Sequence, residues 1–189
     1  MNLPPLILAS TSPRRTELLR QLGIQFQVVP SEASELENEQ LTAREMAQLN
    51  AYRKARAVAK KHPDALVLGA DTLVYLDNRP FGKPADLADA QRMLQQLQGR
   101  THEVVTGVCL LYLRGHRDKL FAETTKVSFR HLTPEQIHRY LVSINPLDKA
   151  GAYAIQESGD AIVREISGSY SNVVGLPIER LERELQGWS

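Results

Sequence analysis

The sequence predicts an α/β fold with a mixed twisted sheet flanked by helices, and two observations support this prediction. Short apolar runs typical of buried strands alternate along the 189 residues with segments of helical periodicity. The apolar runs Val104–Leu113 and Leu120–Phe129 flank a polar turn, which indicates a long hairpin and therefore antiparallel pairs in the sheet. No Pro- or Gly-rich linker divides the chain, so we expect a single domain over residues 1–189 whose lobes, if there are two, share the sheet.

The first elements are a short strand and a helix with clear start and stop signals. Leu6–Ala9 is a run of four apolar residues that predicts a buried strand. Ser12 is placed to cap the next helix, and Pro13 suits the first helical position because its missing N–H costs nothing there. Gly23 suits the left-handed residue that ends such a helix.

Arg14 and Arg15 fall in the first turn of this helix, where cations are disfavoured by the partial positive charge of the helix N-terminus. They stand beside free backbone N–H groups and the hydroxyls of Ser10–Ser12. A polyanion bound at this turn would explain the arrangement. Two solvated surface arginines explain it equally well from this stretch alone.

A second strand, an acidic loop and a long helix follow. Phe26–Pro30 predicts the strand, and Ser31–Gln40 predicts the loop. Thr42 and Glu45 form a capping box, and the helix that it starts should end near Lys61, before His-Pro.

Lys54 interrupts the apolar side of that helix. At about 100° per residue, it falls on one stripe with Ala47, Ala51 and Val58. Either Lys54 points into a site, or its long side chain extends along the core to reach solvent.

Asp71 is the strongest departure from a local pattern. It interrupts Ala65–Leu76, a run that predicts one long strand or two abutting strands. A carboxylate is costly to bury without a partner, so Asp71 should be paired, bound to a metal or placed at a functional site. A turn-capping role is the alternative, but Gly69, which permits close backbone approach, favours the functional one.

The remaining predictions concern the C-terminal two thirds of the chain. In order, we expect a turn-rich loop at Arg79–Pro84 that contains Lys83, a helix over Asp86–Gln98, a turn at Arg114–Lys119, a capped helix from Thr133 to about Ser143, a loop at Asn145–Gln156, a strand at Ala161–Ile166, a close-approach loop at Gly168–Gly175 and a last helix from Pro177.

Composition excludes several classes of function. The net charge of +1 does not favour a binder of nucleic acid polymers, and no apolar run is long enough to cross a membrane. Cys109 is the single cysteine and no signal peptide is apparent, which favours the cytoplasm. There is no P-loop, no dinucleotide-binding glycine motif and no histidine pair for zinc. Cationic side chains with carboxylates but no soft ligands fit a polyphosphate held with Mg²⁺ or Mn²⁺.

Six sequence blocks together resemble the Maf family, in the family's order and over nearly the whole chain. They are SPRR at Ser12–Arg15, GADT at Gly69–Thr72, GKP at Gly82–Pro84, GRTHEVVTGV at Gly99–Val108, DKAGAYAIQ at Asp148–Gln156 and GSYSNVVGLP at Gly168–Pro177. The resemblance implies a mixed sheet with a cleft between two lobes, as in the related inosine triphosphatases. It also implies a nucleoside triphosphate pyrophosphatase, which releases a monophosphate and pyrophosphate.

The resemblance also assigns roles to residues. It implies that Asp71 accepts a proton and contacts the metal and that Glu35 is associated with the metal, although Ser34-Glu35 replaces the family's frequent Asp-Glu and Glu32 lies nearby. Its substrate-binding positions match Ser10, Arg14, Arg15, Lys54, Thr72, Lys83 and Gln156, of which Arg14, Thr72 and Gln156 match the positions tied to base selection.

The segment Asp148–Gln156 resembles the branch of the family that acts on pyrimidines, which implies dTTP, UTP and modified pyrimidine triphosphates as substrates. Two alternatives stay open: the sister branch that acts on 7-methyl-GTP, and a non-catalytic nucleotide-sensing regulator of septum formation. A homodimer is compatible with the sequence.

Overall fold

The computed structural model describes residues 4–36, 38 and 40–188, and the bounds of its strands and helices follow the predicted alternation. Within these residues the strands are β1 (Leu6–Leu8), β2 (Phe26–Val28), β3 (Leu66–Leu76), β4 (Arg79–Phe81), β5 (Thr101–Tyr112), β6 (Arg117–Phe129) and β7 (Val163–Ser167). The α-helices are α1 (Pro13–Arg20), α2 (Ala43–Ala59), α3 (Leu87–Leu97), α4 (Pro134–Ser143), α5 (Gly159–Ile162), α6 (Tyr170–Val174) and α7 (Ile178–Gln186), with 3₁₀ turns at Pro146–Asp148 and Ala150–Ala152.

The strands form one mixed sheet in the order β2-β1-β3-β5-β6-β7, with β4 paired to β3. β1 runs parallel to both β2 and β3, whereas β4 is antiparallel to β3 and β7 is antiparallel to β6. The predicted α/β class with a mixed sheet is therefore confirmed. None of the helices in the described ranges has the length and apolar character needed to cross a membrane.

The chain divides into two compact units that both draw on long strands. The first comprises the described residues of Met1–Thr72, Thr106–Glu123 and Gly175–Ser189, and the second comprises Leu73–Val105 and Thr124–Val174. One core cluster of the first unit, where α2 meets the sheet, is rich in small residues: Ile7, Ala9, Ala51, Ala55, Val58, Ala59, Ala65, Val67, Cys109 and Leu111. The core of the second is built from larger side chains, among them Leu94, Leu97, Phe129, Ile137, Tyr140 and Tyr153.

Helix α2 packs unusually close to the sheet in the first unit. The alanines predicted to share a stripe are buried, and Gly69 on β3 and Gly107 on β5 face them without side chains. A Cβ added at Gly69 would overlap the backbone of Ala51, and one at Gly107 would overlap the backbone of Ala47. The overlapping atoms belong to the helix backbone, which cannot move aside as a flexible side chain can. Only glycine therefore allows this spacing.

The helix-start signals of the sequence are present in the structure. The Ser12 side chain accepts from the backbone of Arg15, and Thr42 forms the predicted capping box with Glu45. A second capping box starts α4 at Thr133, and α7 follows Pro177 as predicted. The apolar run of β3 is one continuous strand rather than two.

The predicted loop at Arg79–Pro84 is wrong in its first half, because Arg79–Phe81 pairs with β3 as strand β4. The connection is a two-residue hairpin turn in which Asp77 and Asn78 have φ values of 51° and 62°. Asp and Asn tolerate this left-handed conformation, which two-residue hairpins require. Pro80 is accommodated because, among the described residues, β4 pairs with β3 and with no second strand.

Two predictions near the C-terminus are also corrected. The predicted strand at Ala161–Ile166 begins only at Val163, because the preceding residues form the helical turn α5 after Ser158, whose φ is 54°. The predicted loop at Gly168–Gly175 contains helix α6, which the Ser169 hydroxyl starts by accepting from the Asn172 N–H at 3.1 Å. The expected close approach lies at Gly168, where φ is 128° and a Cβ would lie 2.9 Å from Thr125 Oγ1.

The hairpin of β5 and β6 is longer than predicted, and its turn is tighter. The strands extend to Tyr112 and from Arg117, so residues 113–116 make the connection. His116 adopts a φ of 48° there, which allows the chain to reverse in fewer residues than the polar segment suggested.

Candidate active site

Asp71 lies on β3 in the first unit, and helix α2 supplies partners for both of its carboxylate oxygens. The Lys54 ammonium is 2.7 Å from Asp71 Oδ1, and Asn50 Nδ2 donates to Asp71 Oδ2 at 3.1 Å. Only 3% of Asp71 is exposed, so this carboxylate is buried and paired, as the sequence predicts. The close packing of α2 on the sheet is what brings these side chains within reach.

Lys54 also contacts Glu35, which arrives from the loop after β2. The distance from Lys54 Nζ to Glu35 Oε1 is 2.6 Å, so one ammonium bridges two carboxylates. Glu35 is half exposed whereas Asp71 is buried, which leaves one side of this pair open to solvent. The sequence left open whether Lys54 only extends to solvent; in the structure its ammonium is held by these acids.

Asn50 is the member of this cluster that sequence reasoning missed. It precedes Lys54 by one helical turn, so the two residues share a face of α2. Its amide donates to Asp71 and to the Leu36 carbonyl at 3.2 Å, and its Oδ1 accepts from the Leu36 N–H at 2.8 Å. Asn50 therefore anchors the loop next to Glu35, and a polar residue on the alanine side of α2 was the signal for it.

Glu32, the alternative acid in the same loop, has a different partner. It pairs with Lys61 at 2.9 Å, and the side chains of both residues are mostly exposed. An exposed pair of this kind contributes little to stability. The structure thus brings Glu35, and not Glu32, to Asp71.

Arg15 lies in the first turn of α1, and its guanidinium is enclosed by protein acceptors. Burial lowers the pKa of Arg15 from its ordinary value, while the negative charges of Asp71 and Glu35 act in the opposite direction. Ser10 is buried and its hydroxyl accepts from the Ser12 N–H at 3.2 Å. Arg14, one position earlier, is half-buried.

Lys83 and Gln156 lie in the second unit, and both are exposed. Lys83 follows β4, and the adjacent Gly82 carbonyl accepts from the Gly151 N–H at 3.0 Å. That contact joins the loop of Lys83 to the segment that carries Gln156. Gly151 has a φ of 69°, a conformation that favours glycine.

The segment before Gln156 is held by buried aromatic side chains that the sequence did not single out. The Tyr140 hydroxyl donates to the Ala154 carbonyl at 3.0 Å and accepts from the Ala154 N–H at 3.1 Å. The Tyr153 hydroxyl lies 2.8 Å from His102 Nε2. Burial raises the pKa of Tyr140 to about 12 and lowers the pKa of His102 to about 4, so both side chains are neutral at pH 7.

The carboxylates of Glu35 and Asp71 are oxygen donors suited to a hard divalent cation. The described residues contain no group of three or more His, Cys, Asp and Glu side chains that could hold a metal. Two carboxylates completed by phosphate oxygens are nevertheless a normal site for Mg²⁺. The ammonium of Lys54 already occupies the position between them, which indicates that this position attracts a cation.

Comparison with known proteins identifies relatives over nearly the whole chain. The sequence model of the family described as "Maf-like protein" matches residues 5–188. A protein of Akkermansia muciniphila named dTTP/UTP pyrophosphatase is 43% identical over 185 residues, which cover 98% of this chain and 97% of the relative. Proteins of the same name from Symbiobacterium thermophilum and Bacillus cereus strain ATCC 10987 are 50% and 47% identical, covering 93% and 98% of this chain and 89% and 90% of their own lengths.

Proposed function

Because the chain belongs to the Maf-like protein family, we propose that it hydrolyses dTTP and UTP to the nucleoside monophosphate and pyrophosphate. Relatives with this name are 43% to 50% identical to the chain over the aligned residues. The observation in the structure that carries the proposal is the buried Asp71, held by Asn50 and Lys54 beside Glu35. This arrangement offers a fixed carboxylate for proton transfer and cationic groups for phosphate.

Asp71 is the proposed proton acceptor. A water molecule attacks the α-phosphorus and transfers a proton to Asp71, while the bridging oxygen leaves with the pyrophosphate. Asn50 and Lys54 each hold one oxygen of this carboxylate, so its orientation is set before substrate arrives. Such preorganisation avoids a reorientation cost during the reaction.

The proposed ligands for Mg²⁺ or Mn²⁺ are Glu35 and Asp71, which would hold the cation together with phosphate oxygens of the substrate. The bound cation supplies charge neutralisation and polarisation of the phosphate. Lys54 contacts both carboxylates, so its ammonium lies beside the proposed metal ligands and would be available to donate to a phosphate oxygen. The proposed phosphate ligands are Ser10, Arg14, Lys54 and Lys83.

The proposed base is a pyrimidine, selected by Gln156 with Thr72 and Arg14. A glutamine amide offers one acceptor and two donors, which match the N3–H and a carbonyl of uracil or thymine. Cytosine has an acceptor in place of the N3–H donor and a donor in place of one carbonyl. A glutamine oriented to pair with uracil would therefore lose part of this pairing with cytosine. Leaving a buried polar group unpaired costs about 1–3 kcal/mol. Gln156 is exposed without substrate, so bound nucleotide would have to cover it.

The proposed function is tested with a panel of nucleoside triphosphates assayed for pyrophosphate release with Mg²⁺ and with Mn²⁺. We expect kcat/KM for UTP and dTTP to exceed that for CTP, GTP and 7-methyl-GTP. In H₂¹⁸O, attack at the α-phosphorus places the label in the monophosphate. A preference for 7-methyl-GTP would contradict the proposed pyrimidine specificity. Absence of pyrophosphate release from every nucleotide would contradict the proposed pyrophosphatase activity.

The cytoplasm, where nucleoside triphosphates are available, is the proposed compartment, and the whole chain is proposed to act as one domain. Sedimentation of the assayed preparation distinguishes a homodimer from a monomer.

A further inference from the structure

The guanidinium of Arg15 spends most of its hydrogen-bonding capacity on the protein itself. Nε donates to the Gly175 carbonyl at 2.9 Å, Nη1 donates to the Ala70 carbonyl at 2.9 Å and to Ser10 Oγ at 3.4 Å, and Nη2 donates to Thr72 Oγ1 at 3.0 Å. A guanidinium has five N–H donors, and these contacts occupy four of them. Little capacity is left for a triphosphate, which is the ligand that the sequence predicts for Arg15.

The acceptors on β3 lie directly on either side of Asp71. Ala70 precedes Asp71 and Thr72 follows it, and successive side chains of a strand point to opposite faces. Arg15 therefore holds the backbone before Asp71 and the side chain after it, while Asp71 faces Asn50 and Lys54 on α2. A rotation of this part of the strand would break contacts on both sides.

A third acceptor ties the same guanidinium to the segment before α7. Gly175 has a φ of 127°, and a Cβ there would lie 3.4 Å from Thr72 Oγ1 and 3.5 Å from Arg15 Nε. The distances leave room for a Cβ, but this φ is strained for residues other than glycine. The Gly175 carbonyl contacts both groups, since Thr72 Oγ1 is 3.4 Å from the same oxygen. Thr72 Oγ1 further contacts Thr106 Oγ1 at 3.0 Å. One planar, rigid group thus joins α1, β3 and this segment.

We propose that Arg15 is a positioning residue that fixes Asp71 in its working orientation, and that it is not a ligand of the triphosphate. The proposal rests on the proposed function for the choice of reaction. It separates the roles of two adjacent arginines that the resemblance places together at the triphosphate, because Arg14 keeps the proposed contact with phosphate. Loss of Arg15 should therefore impair the chemical step rather than substrate binding.

The test compares Arg15→Gln and Arg15→Lys with Arg14→Gln in steady-state hydrolysis of UTP. We expect the Arg15 variants to lose kcat on the order of 10²-fold, as for a misplaced catalytic group, with KM near the wild-type value. Arg14→Gln should instead raise KM about ten- to a hundredfold, because it removes a charge-assisted hydrogen bond to phosphate. Arg15→Lys keeps the charge but cannot reach the carbonyl and the hydroxyl together, so it should resemble Arg15→Gln.

Two further measurements keep the outcome decisive. Binding of inorganic pyrophosphate, measured by calorimetry, should be unchanged in Arg15→Lys and weakened in Arg14→Gln. Amide hydrogen exchange of the peptide that contains Gly175 should rise in both Arg15 variants and stay at the wild-type level in Arg14→Gln. A rise in KM or a loss of pyrophosphate affinity in Arg15→Lys would overturn the proposal, as would unchanged exchange near Gly175. If wild-type protein hydrolyses no nucleotide, the proposed function fails, and the binding and exchange results still decide the role of Arg15.

Discussion

A carboxylate in the middle of an apolar strand is the residue-scale feature on which the proposed chemistry depends. Asp71 is 3% exposed, and each of its oxygens has a partner on α2. Breaking a buried ion pair by removing one member usually costs several kcal/mol, because the other charge is left without compensation. Removing Asp71 or Lys54 alone would therefore destabilise the fold as well as the site, and tests of the site need variants that preserve shape.

Asp71→Asn is the first such variant. It retains the size of the side chain and an acceptor for Asn50 Nδ2, but it removes the proton acceptor and weakens a proposed metal ligand, so turnover is compared at saturating Mg²⁺. We expect turnover of UTP to fall about 10²–10⁴-fold, as is typical when a general base is lost. Circular dichroism and UTP affinity verify that the fold and the binding site persist. Activity close to that of the wild type would show that another group accepts the proton.

Glu35→Gln tests the assignment of the metal ligand, and the chain offers Glu32→Gln as a matched control from the same loop. Glu35 contacts the ammonium that Asp71 also contacts, whereas Glu32 pairs with the exposed Lys61. In titrations of activity with Mg²⁺, we expect the midpoint to move to higher concentration for Glu35→Gln only. A shift of the midpoint in the Glu32 variant, with none in the Glu35 variant, would show that Glu32 is the metal ligand and that the assignment to Glu35 is wrong.

Residue types in unusual contexts were predictable from the sequence, but their partners were not. Asp71 in a strand and Lys54 on an alanine stripe signal a site because each violates its local pattern. That Arg15 turns toward Ala70, Thr72 and Gly175 depends on segments up to 160 residues apart, which no local pattern encodes. The sequence favoured Glu35 over Glu32 only through the family resemblance, and the contact with Lys54 adds a distinction that no local pattern encodes.

At the scale of elements, helices with caps were predicted well and short irregular elements were not. Capping boxes at Thr42 and Thr133 are local hydrogen-bonding patterns that sequence spacing reveals directly. β4, α5 and α6 have three to five residues each, too few for periodicity to identify. Their positions depend on left-handed residues such as Asp77 and Ser158, which are not glycine and give no strong signal.

The segment that carries Gln156 gives a prediction at this scale, because α4 holds it through one hydroxyl. Tyr140→Phe removes both hydrogen bonds to Ala154 and leaves its N–H and carbonyl buried without that partner. We expect the preference for UTP over CTP to shrink in Tyr140→Phe, as it should in Gln156→Ala, while kcat for UTP changes less than the preference. A loss of stability of about 1–3 kcal/mol should accompany the Tyr140 variant only.

Ratios of kcat/KM for UTP and CTP, together with urea unfolding, measure both effects. Tyr170→Phe provides a control, since Tyr170 is an exposed tyrosine in the same unit. A preference that survives both Tyr140→Phe and Gln156→Ala would contradict the assignment of base selection to this segment.

For the molecule as a whole, His102 predicts how stability depends on pH. Burial lowers its pKa from 6.5 to about 4, and its Nδ1 has no hydrogen-bond partner in the part of the chain that the structure describes. Between these pH values the unfolded chain binds a proton that the folded chain excludes, so stability falls as pH drops from about 6.5 toward 4. The full loss amounts to about 3 kcal/mol for a shift of this size.

Urea unfolding at pH 7 and at pH 4.5 measures this dependence. In His102→Gln the loss of stability between the two pH values should be smaller than in the wild type, whatever the absolute stability of the variant. His138→Gln, which alters an exposed histidine of the same unit, serves as the matched substitution for comparison. If stability fell equally between the two pH values in all three proteins, folding would not lower the pKa of His102, and the prediction would be wrong.

The contact between α2 and the sheet has a consequence for how this chain tolerates change. Gly69 and Gly107 leave no room for even a methyl group, and Asn50 and Lys54 stand on the helix that this contact locates. An alanine at Gly69 would push α2 away from β3. All side chains of the site would still be present, but Asn50 and Lys54 would no longer reach Asp71. Mutational libraries built to diversify this enzyme should therefore keep both glycines fixed, together with the residues of the site.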